Sequence, residues 1–290
     1  EMLVTLKQIL AIAEERKIAV GAFNVPNLES IQAEIAAAEE LNLPVIIQFA
    51  QGHETHIRLE EIGPVMVTYA KNASVPVCVH LDHGEDLAFL QKALDLGFTG
   101  VMYDGSTLPY EENVANTKKA VEMARKVGAY VEAELGSMGR REDGSGQGTG
   151  VNDETKIYTD PILAKKFMVE TGIDALACSF GTTHGLYLTE PKLDFSVVEK
   201  VREACDGLPV VMHGGSGVSV SDFHKAVRAG VRKINYFTYM DKAAGNAMVA
   251  YLNSLEKGQV PFYSDAALKA IEAMKENVKR AMTTFALLDA

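Results

Sequence analysis

Histidines and carboxylates collect at one kind of position in this chain, the C-terminal ends of short apolar runs. Asn24 follows one run, Asp82 and His83 another, and Asp104, Glu132 with Glu134, His184, His213 and Asn235 follow five more. Three of the seven histidines, His83, His184 and His213, therefore fall at equivalent places. Three convergent imidazoles beside carboxylates suit a divalent ion, above all Zn²⁺, whose catalytic sites take three protein ligands and keep a fourth position open. Asp104 and Glu134 stand next to them as alternate ligands or as groups that orient a ligand. Asp82 adjoins His83 and reads either as an orienting partner or as the acceptor of a substrate hydroxyl proton. His80 is set apart, because strand positions three apart point to opposite faces; it reads as packing or as support for a ligand. His53 and His56 lie in a polar stretch and read as structural, and His224 as a surface residue of a helix.

A second signal is an anion cradle. His213-Gly214-Gly215-Ser216-Gly217 leads toward a helix starting near Ser221. Glycines let backbone N–H groups approach an oxyanion, and a helix N-terminus adds a favourable dipole. Asn235 and Thr238 stand ready to add hydrogen bonds. A Lewis acid beside a bound phosphate polarises a ketone and stabilises the enediolate formed when a C–H or C–C bond breaks. Such chemistry needs proton carriers that are not ligands. Asp82 suits the hydroxyl proton, and Glu142 suits the carbon-bound one. Glu142 lies in the long Gly-rich connection Gly136–Thr159, which reads as an active-site lid.

The elements that must position these groups alternate. Eight runs of strand length recur, at Ile18–Phe23, Val45–Phe49, Val77–Leu81, Gly100–Tyr103, Ala129–Leu135, Ala175–Ser179, Pro209–Met212 and Arg232–Asn235. Near-continuous apolar runs suit parallel strands covered on both faces. Between them lie helical patterns at Leu28–Leu41, Leu59–Ala73, Asp86–Leu96, Glu112–Val127, Pro161–Glu170, Phe195–Ala204 and Ser221–Ala229. Eight strand–helix units without a dinucleotide-type glycine turn predict a closed (β/α)₈ TIM barrel, whose chemistry sits at the C-terminal ends of its strands. Thr5–Glu15 is expected to close the barrel bottom. Tyr239–Ala290 is expected to form a helical extension interrupted at Gly258–Pro261. With no interdomain linker, residues 2–290 read as a single domain.

Composition agrees with that class. The 290 residues are 47% apolar and 23% charged, which excludes a disordered chain. No apolar run approaches the roughly 20 residues of a membrane span, and no secretion signal is evident. The formal charge of −11 argues against nucleic acid or an anionic membrane as partner. Cys78, Cys178 and Cys205 lack paired spacing and read as buried reduced thiols of a cytoplasmic protein.

In order along the chain stand Val79-His80-Leu81-Asp82-His83-Gly84, Asp104-Gly105-Ser106, Glu132-Ala133-Glu134-Leu135-Gly136, Gly181-Thr182-Thr183-His184-Gly185, His213-Gly214-Gly215-Ser216-Gly217 and Lys233-Ile234-Asn235-x-x-Thr238. Together, from about Val4 to Ala286, they resemble the class II, zinc-dependent ketose-bisphosphate aldolases, which cleave fructose or tagatose bisphosphate. The resemblance implies a lyase of sugar-phosphate metabolism such as glycolysis, releasing dihydroxyacetone phosphate. It implies one Zn²⁺ per chain on His83, His184 and His213, Asp82 as acid/base for the C4 hydroxyl, and Glu142 as the lid glutamate. Asn24, Gly185, Gly214, Ser216, Asn235 and Thr238 match positions that face the substrate or its phosphate. A monovalent cation (Na⁺ or K⁺) near that phosphate and a homodimer or homotetramer are further implications.

Three departures bear on the aldehyde half. Phe237 stands where some members place an Asp that holds sugar hydroxyls, and Ala50 replaces a Ser that helps bind the distal phosphate. Arg140 and Arg141 occupy lid positions where Gly and acidic residues are common; they either meet a distal anion or stay solvated. A ketose 1-phosphate with another tail, such as a sulfonate, is therefore a second substrate reading. A metal-dependent phosphosugar isomerase or epimerase would use the same enediolate but release no three-carbon product. An accessory subunit of another aldolase would keep the barrel and hold a stable hetero-partner.

Overall fold

Leu6, Ile9, Leu10 and Ala13 recur at helical spacing and are all buried, which makes helix α1 (Leu6–Arg16) the floor of the molecule. Its start is fixed by a reciprocal cap: Thr5 Oγ1 accepts from the Gln8 amide, and Gln8 Oε1 accepts from the Thr5 amide. The computed structural model describes residues 1–136, 158–182 and 192–290.

Above that floor eight parallel strands close into a barrel in sequence order: β1 (Val20–Asn24), β2 (Val45–Ala50), β3 (Val77–Gly84), β4 (Gly100–Tyr103), β5 (Tyr130–Glu134), β6 (Ala175–Ala177), β7 (Val210–Met212) and β8 (Val231–Tyr236). β8 pairs with β1 through Val20↔Lys233 and Ala22↔Asn235, which completes the circle. Around it lie α2 (Leu28–Leu41), α3 (Leu59–Asn72), α4 (Leu87–Asp95), α5 (Tyr110–Lys126), α6 (Pro161–Thr171), α7 (Phe195–Ala204) and α8 (Val220–Ala229). Among the described residues, no helix is long and apolar enough to cross a membrane.

Alternation divides each strand. One set of side chains, including Phe49, Val79, Leu81, Val101 and Val131, packs against the helices. The other set faces inward, where Ala22, Ile46, Cys78, Ala175, Ala177 and Val211 cluster with α1. Gly100 has no side chain for a reason of space: a Cβ there would lie 2.6 Å from His80 Nδ1 and 2.9 Å from Leu6 Cβ.

The (β/α)₈ expectation holds, and the differences are local. β3 runs three residues past the expected Leu81, because its pairing with β2 continues through Ala50↔Asp82 and its pairing with β4 resumes at Gly84↔Tyr103. A register shift between Leu81 and Gly84 separates those pairings, and His83 sits within it at φ +45°. This bulge allows neighbours Asp82 and His83 to serve one site, which strict alternation forbids. After β2 the polar stretch that holds His53 forms a short 3₁₀ turn, Gln51–Thr55. The extension is two helices, α9 (Thr238–Asn253) and α10 (Tyr263–Phe285), and the expected Gly258–Pro261 break falls between them. His224 is not a surface residue. It lies on the edge of the buried face of α8, 8% exposed, with Nε2 2.7 Å from Asp289.

Candidate active site

At the C-terminal mouth His83 and His213 face each other, ring centroids 4.9 Å apart. Each ring has one nitrogen bound to a carboxylate. His83 Nδ1 lies 2.7 Å from Asp104 Oδ2, and His213 Nε2 lies 2.8 Å from Glu132 Oε1. These partners act as acceptors, so they fix the tautomers and direct the opposite nitrogens into the mouth. There His83 Nε2 is 3.8 Å from Asp82 Oδ1, and His213 Nδ1 is 3.5 Å from Glu134 Oε2. Donor atoms of Asp82, His83 and His213 fall within 4.8 Å of one another, as do those of His83, Asp104 and Glu134.

The donor set fits a divalent cation on two further observations. Glu134 Oε2 is buried and has no hydrogen-bond partner among the described residues, an arrangement that is costly unless a cation satisfies it. The Asp82 carboxylate, helped by Asp104 and Glu134 against the effect of burial, also draws the His83 imidazole up to about 10. A field that favours a proton so strongly favours a metal ion in its place. Burial pushes Asp104 upward, but hydrogen bonds from His83 and Ser106 outweigh it and keep that carboxyl well below its ordinary range.

Asp82 lies in the same cavity, 4% exposed. Asn24 Nδ2 donates to its Oδ2 at 2.9 Å and Asn235 Nδ2 to its Oδ1 at 3.4 Å. Burial raises its pKa, but the charges of His83, His213 and Lys233 together with Asn24 more than offset this. The group is therefore ionised and able to accept a proton.

Beneath Asp82 the barrel interior is polar. Lys233 Nζ donates to Asn235 Oδ1 at 2.6 Å and pairs with Glu132 Oε2 at 2.9 Å, both chains fully buried. His80 Nε2 approaches the same Oε2 at 3.0 Å, off the line of a hydrogen bond. Burial raises the Glu132 carboxyl, yet Lys233, His213 and His80 hold it well below its usual range. Lys233 also decides which end of the Asn235 amide faces Asp82. An ammonium on Oδ1 leaves Nδ2 to donate.

The side of the mouth expected to take a phosphate is built from backbone. Gly214 has φ +65°, and a Cβ at Gly215 would lie 2.8 Å from the Asn235 carbonyl oxygen, so the loop hugs β8. Ser216 Oγ accepts from the Phe237 amide at 3.4 Å. α9 starts at Thr238 with no side-chain cap, which leaves its first-turn N–H groups available to an anion. A cavity of about 230 Å³ joins these parts, lined by Asn24, Asp82, His83, the 214–216 loop, Asn235 and Thr238, and on its far side by Ala50, His53 and Phe237.

Thus the structure brings Asp82, His83, His213, Asp104 and Glu134 together, with Asn24, Gly214, Ser216, Asn235 and Thr238 around them. Glu142, His184, Gly185, Arg140 and Arg141 lie outside the described residues. His80 supports Glu132 from below, but not from the opposite face expected of a residue three positions from His83: the bulge between Leu81 and Gly84 brings both into the barrel interior. Lys233 and Gln48 escaped the sequence reading, although Gln48 Nε2 donates to Asn24 Oδ1 at 3.3 Å. Their signal was periodic: a polar residue two positions before a rim residue marks the layer beneath it. His53 differs from its structural reading. It lines the cavity against Phe237, while His56 is exposed. The three cysteines are free and buried, and burial raises each thiol, Cys78 to about 12, which leaves them unreactive.

A closed (β/α)₈ barrel with paired imidazoles, carboxylates and a glycine-rich loop beside an uncapped helix start at its mouth suits a metal-assisted enzyme of small phosphorylated molecules. Comparison with known proteins narrows the class. The family profile described as "Fructose-bisphosphate aldolase class-II" matches residues 4–289. The chain is 39% identical over 290 residues to a fructose-bisphosphate aldolase of Staphylococcus aureus (strain Mu50), covering 98% of this chain and 97% of that one. It is 37% identical over 278 residues to the D-tagatose-1,6-bisphosphate aldolase subunit GatY of Klebsiella oxytoca, covering 96% and 95%. The crystal structure of the YdjI aldolase from Escherichia coli K12 superposes with a TM-score of 0.85 at 34% identity, covering 98% of this chain and 97% of that one. The chain belongs to the class II fructose-bisphosphate aldolase family. It is an aldolase, a carbon–carbon lyase of carbohydrate metabolism, in a family that is generally metal-dependent.

Proposed function

We propose that the chain is a zinc-dependent aldolase that reversibly splits a phosphorylated ketose into dihydroxyacetone phosphate and an aldehyde. The observation that carries this reading is the pairing of two carboxylate-anchored imidazoles with an ionised, buried Asp82 in one cavity. His83 and His213, with His184 from outside the described residues, would hold the ion, and Glu134 or Asp104 could replace a ligand. Bound there, Zn²⁺ supplies Lewis-acid polarisation of the ketose carbonyl.

The remaining steps belong to the chain. The 214–216 loop, Asn235 and the N-terminus of α9 bind the phosphate and fix the three-carbon unit, with Gly185 of the family motif as a further contact. Asp82 takes the C4 hydroxyl proton as the C3–C4 bond breaks. The bond's electron pair passes to the three-carbon unit as an enediolate, and the new C4 carbonyl leaves as the aldehyde. A proton then returns to C3, a role the family resemblance gives to Glu142. Asn24 and Asn235 hold Asp82 so that its oxygens face the hydroxyl rather than the barrel wall. A monovalent cation near the phosphate, a homo-oligomer and a cytoplasmic setting complete the reading.

Fructose 1,6-bisphosphate and tagatose 1,6-bisphosphate are the first substrates to test, given the names of the relatives. A ketose 1-phosphate with a different tail is the second reading, favoured by Ala50 and Phe237 on the cavity wall. The experiment measures dihydroxyacetone phosphate release from each ketose, with and without a chelator. Release that the chelator abolishes and Zn²⁺ restores is expected. Release indifferent to chelation would overturn the metal assignment, and ketose interconversion without a three-carbon product would favour an isomerase.

A further inference from the structure

The mouth is divided by strand. The candidate ion ligands of the described residues come from β3, β4, β5 and β7, and the phosphate cradle follows β7 and β8. Among the described residues, the remaining sector lies above β1 and β2 and is flanked by the end of β8. Asn24, at the end of β1, forms its floor. Phe237, one residue past the end of β8, and His53 of the 3₁₀ turn form one continuous wall beside Ala50. The two rings meet across β1 with centroids 4.9 Å apart and planes tilted by 55°. Asp82 borders this sector through its bond to Asn24. Among the described residues this is the part of the mouth taken by neither the candidate ion ligands nor the phosphate cradle, and substrate atoms beyond the C4 hydroxyl have room to continue into it.

The sector's electrostatics are specific. Among the described residues lining the cavity there is no lysine or arginine. Among the described residues, the carboxylates of Asp82 and Asp241 both act on the His53 ring, and a phosphate dianion placed beside it would be repelled by them. Burial, aided by neighbouring His56 against the carboxylates of Asp82 and Asp241, lowers the His53 pKa and keeps that imidazole neutral. Its Nδ1 is buried, which leaves Nε2 as the nitrogen able to meet a hydroxyl. Phe237 offers a face against which C–H groups can pack and no hydrogen bond at all. A neutral imidazole, an amide, a methyl and a phenyl ring suit a chain of C–H and O–H groups.

We propose that the His53–Phe237 sector receives the aldehyde half as an uncharged hydroxylated chain, so that the preferred substrate is a ketose 1-phosphate without a second phosphate. This rests on the aldolase reading and specifies its substrate class. His53 and Phe237 become the residues that set aldehyde preference.

The test runs the reaction toward synthesis with the Zn²⁺-loaded enzyme and dihydroxyacetone phosphate as fixed donor. kcat/KM is compared for D- and L-glyceraldehyde and for D-glyceraldehyde 3-phosphate. The better unphosphorylated aldehyde is expected to match or exceed the phosphorylated one, by about tenfold if charge repulsion acts in full. Higher kcat/KM for glyceraldehyde 3-phosphate overturns the inference. His53→Lys and Phe237→Arg each put a cation in the sector and should move the ratio at least tenfold toward the phosphorylated aldehyde; an unmoved ratio in a folded variant also overturns it. Should neither variant fold, the wild-type ratio still decides. Deuterium exchange into dihydroxyacetone phosphate alone separates the two levels. Exchange with a preference for the phosphorylated aldehyde sinks only the inference, whereas absence of both exchange and addition sinks the aldolase reading and the inference with it.

Discussion

The barrel interior has two halves built on the same backbone and filled in opposite ways. Near α1, Leu6, Ala22, Ile46, Cys78, Ala177 and Val211 form a dry apolar plug. One layer up, Gln48, His80, Glu132 and Lys233 are equally buried and all polar. The lower half stabilises the fold by removing apolar surface from water, about 25 cal/mol per Å². The upper half cannot be explained that way, because a buried ion pair is often no better than well-packed apolar residues of similar volume. Its layout has another logic. Each of its members touches a group at the mouth or the pair that does: Glu132 orients His213, Lys233 orients Asn235, Gln48 holds Asn24, and His80 backs Glu132. Where a TIM barrel is apolar it resists unfolding, and where it is polar it aims side chains.

Four substitutions sharpen or break that contrast. Asp82→Ala, at the polar mouth, should keep its metal by elemental analysis yet lose cleavage by roughly two to four decades. Near-normal turnover would reduce Asp82 to an orienting partner. Lys233→Met, one layer below, strands the Glu132 charge and should cost about 3–5 kcal/mol in denaturant melts. Adding Glu132→Gln should recover more than half of that stability, while activity stays low because Asn235 and His213 have lost their anchors. A Lys233→Met cost below about 1.5 kcal/mol, no larger than that of trimming a single methyl group, would mean that the Glu132 charge does not depend on Lys233. Ile46→Val, in the plug, should cost about 0.5–1.5 kcal/mol and leave kcat unchanged. A change in kcat there would erase the division between the halves.

The smallest effect lies outside the barrel. Glu14 on α1 accepts from Arg202 at 2.8 Å and Arg232 at 2.7 Å. Burial pushes its carboxyl up, but those arginines outweigh it and bring the pKa from 4.5 to about 2. A depressed folded-state pKa stabilises above the unfolded value and stops doing so as pH falls through the folded one. Glu14→Gln should therefore lower stability by at most about 1 kcal/mol above pH 4.5, with the gap closing toward pH 2. A gap that persisted in acid would assign the effect to packing.

Much of this was legible in the chain because parallel strands buried on both faces leave continuous apolar runs, and rim residues end those runs. Asp82, Glu134, His213 and Asn235 were found by that rule alone. The layer beneath was harder to see. Lys233 between Arg232 and Ile234 looks like the edge of a strand until β8 is known to pass through the barrel wall with Lys233 turned inward. His83 was found by its place after the third run, but the turn that brings it beside Asp82 was not, since no propensity foretells a bulge. His53 escaped because its role depends on Phe237, far away in sequence and brought near only when β8 closes on β1. His224 was misplaced because its helix face is decided by packing against the C-terminus at Asp289.

The φ of +45° at His83 restricts how this position can change over generations. A left-handed backbone is tolerated by Asn, Asp and His but is an outlier for β-branched or bulky residues. Apart from Gly, which takes this backbone freely but supplies no ligand, drift at residue 83 is thus funnelled toward side chains that still carry a donor atom. A lineage that lost the imidazole yet kept a side chain here would pass most easily through Asn or Asp, both capable of weak ligation.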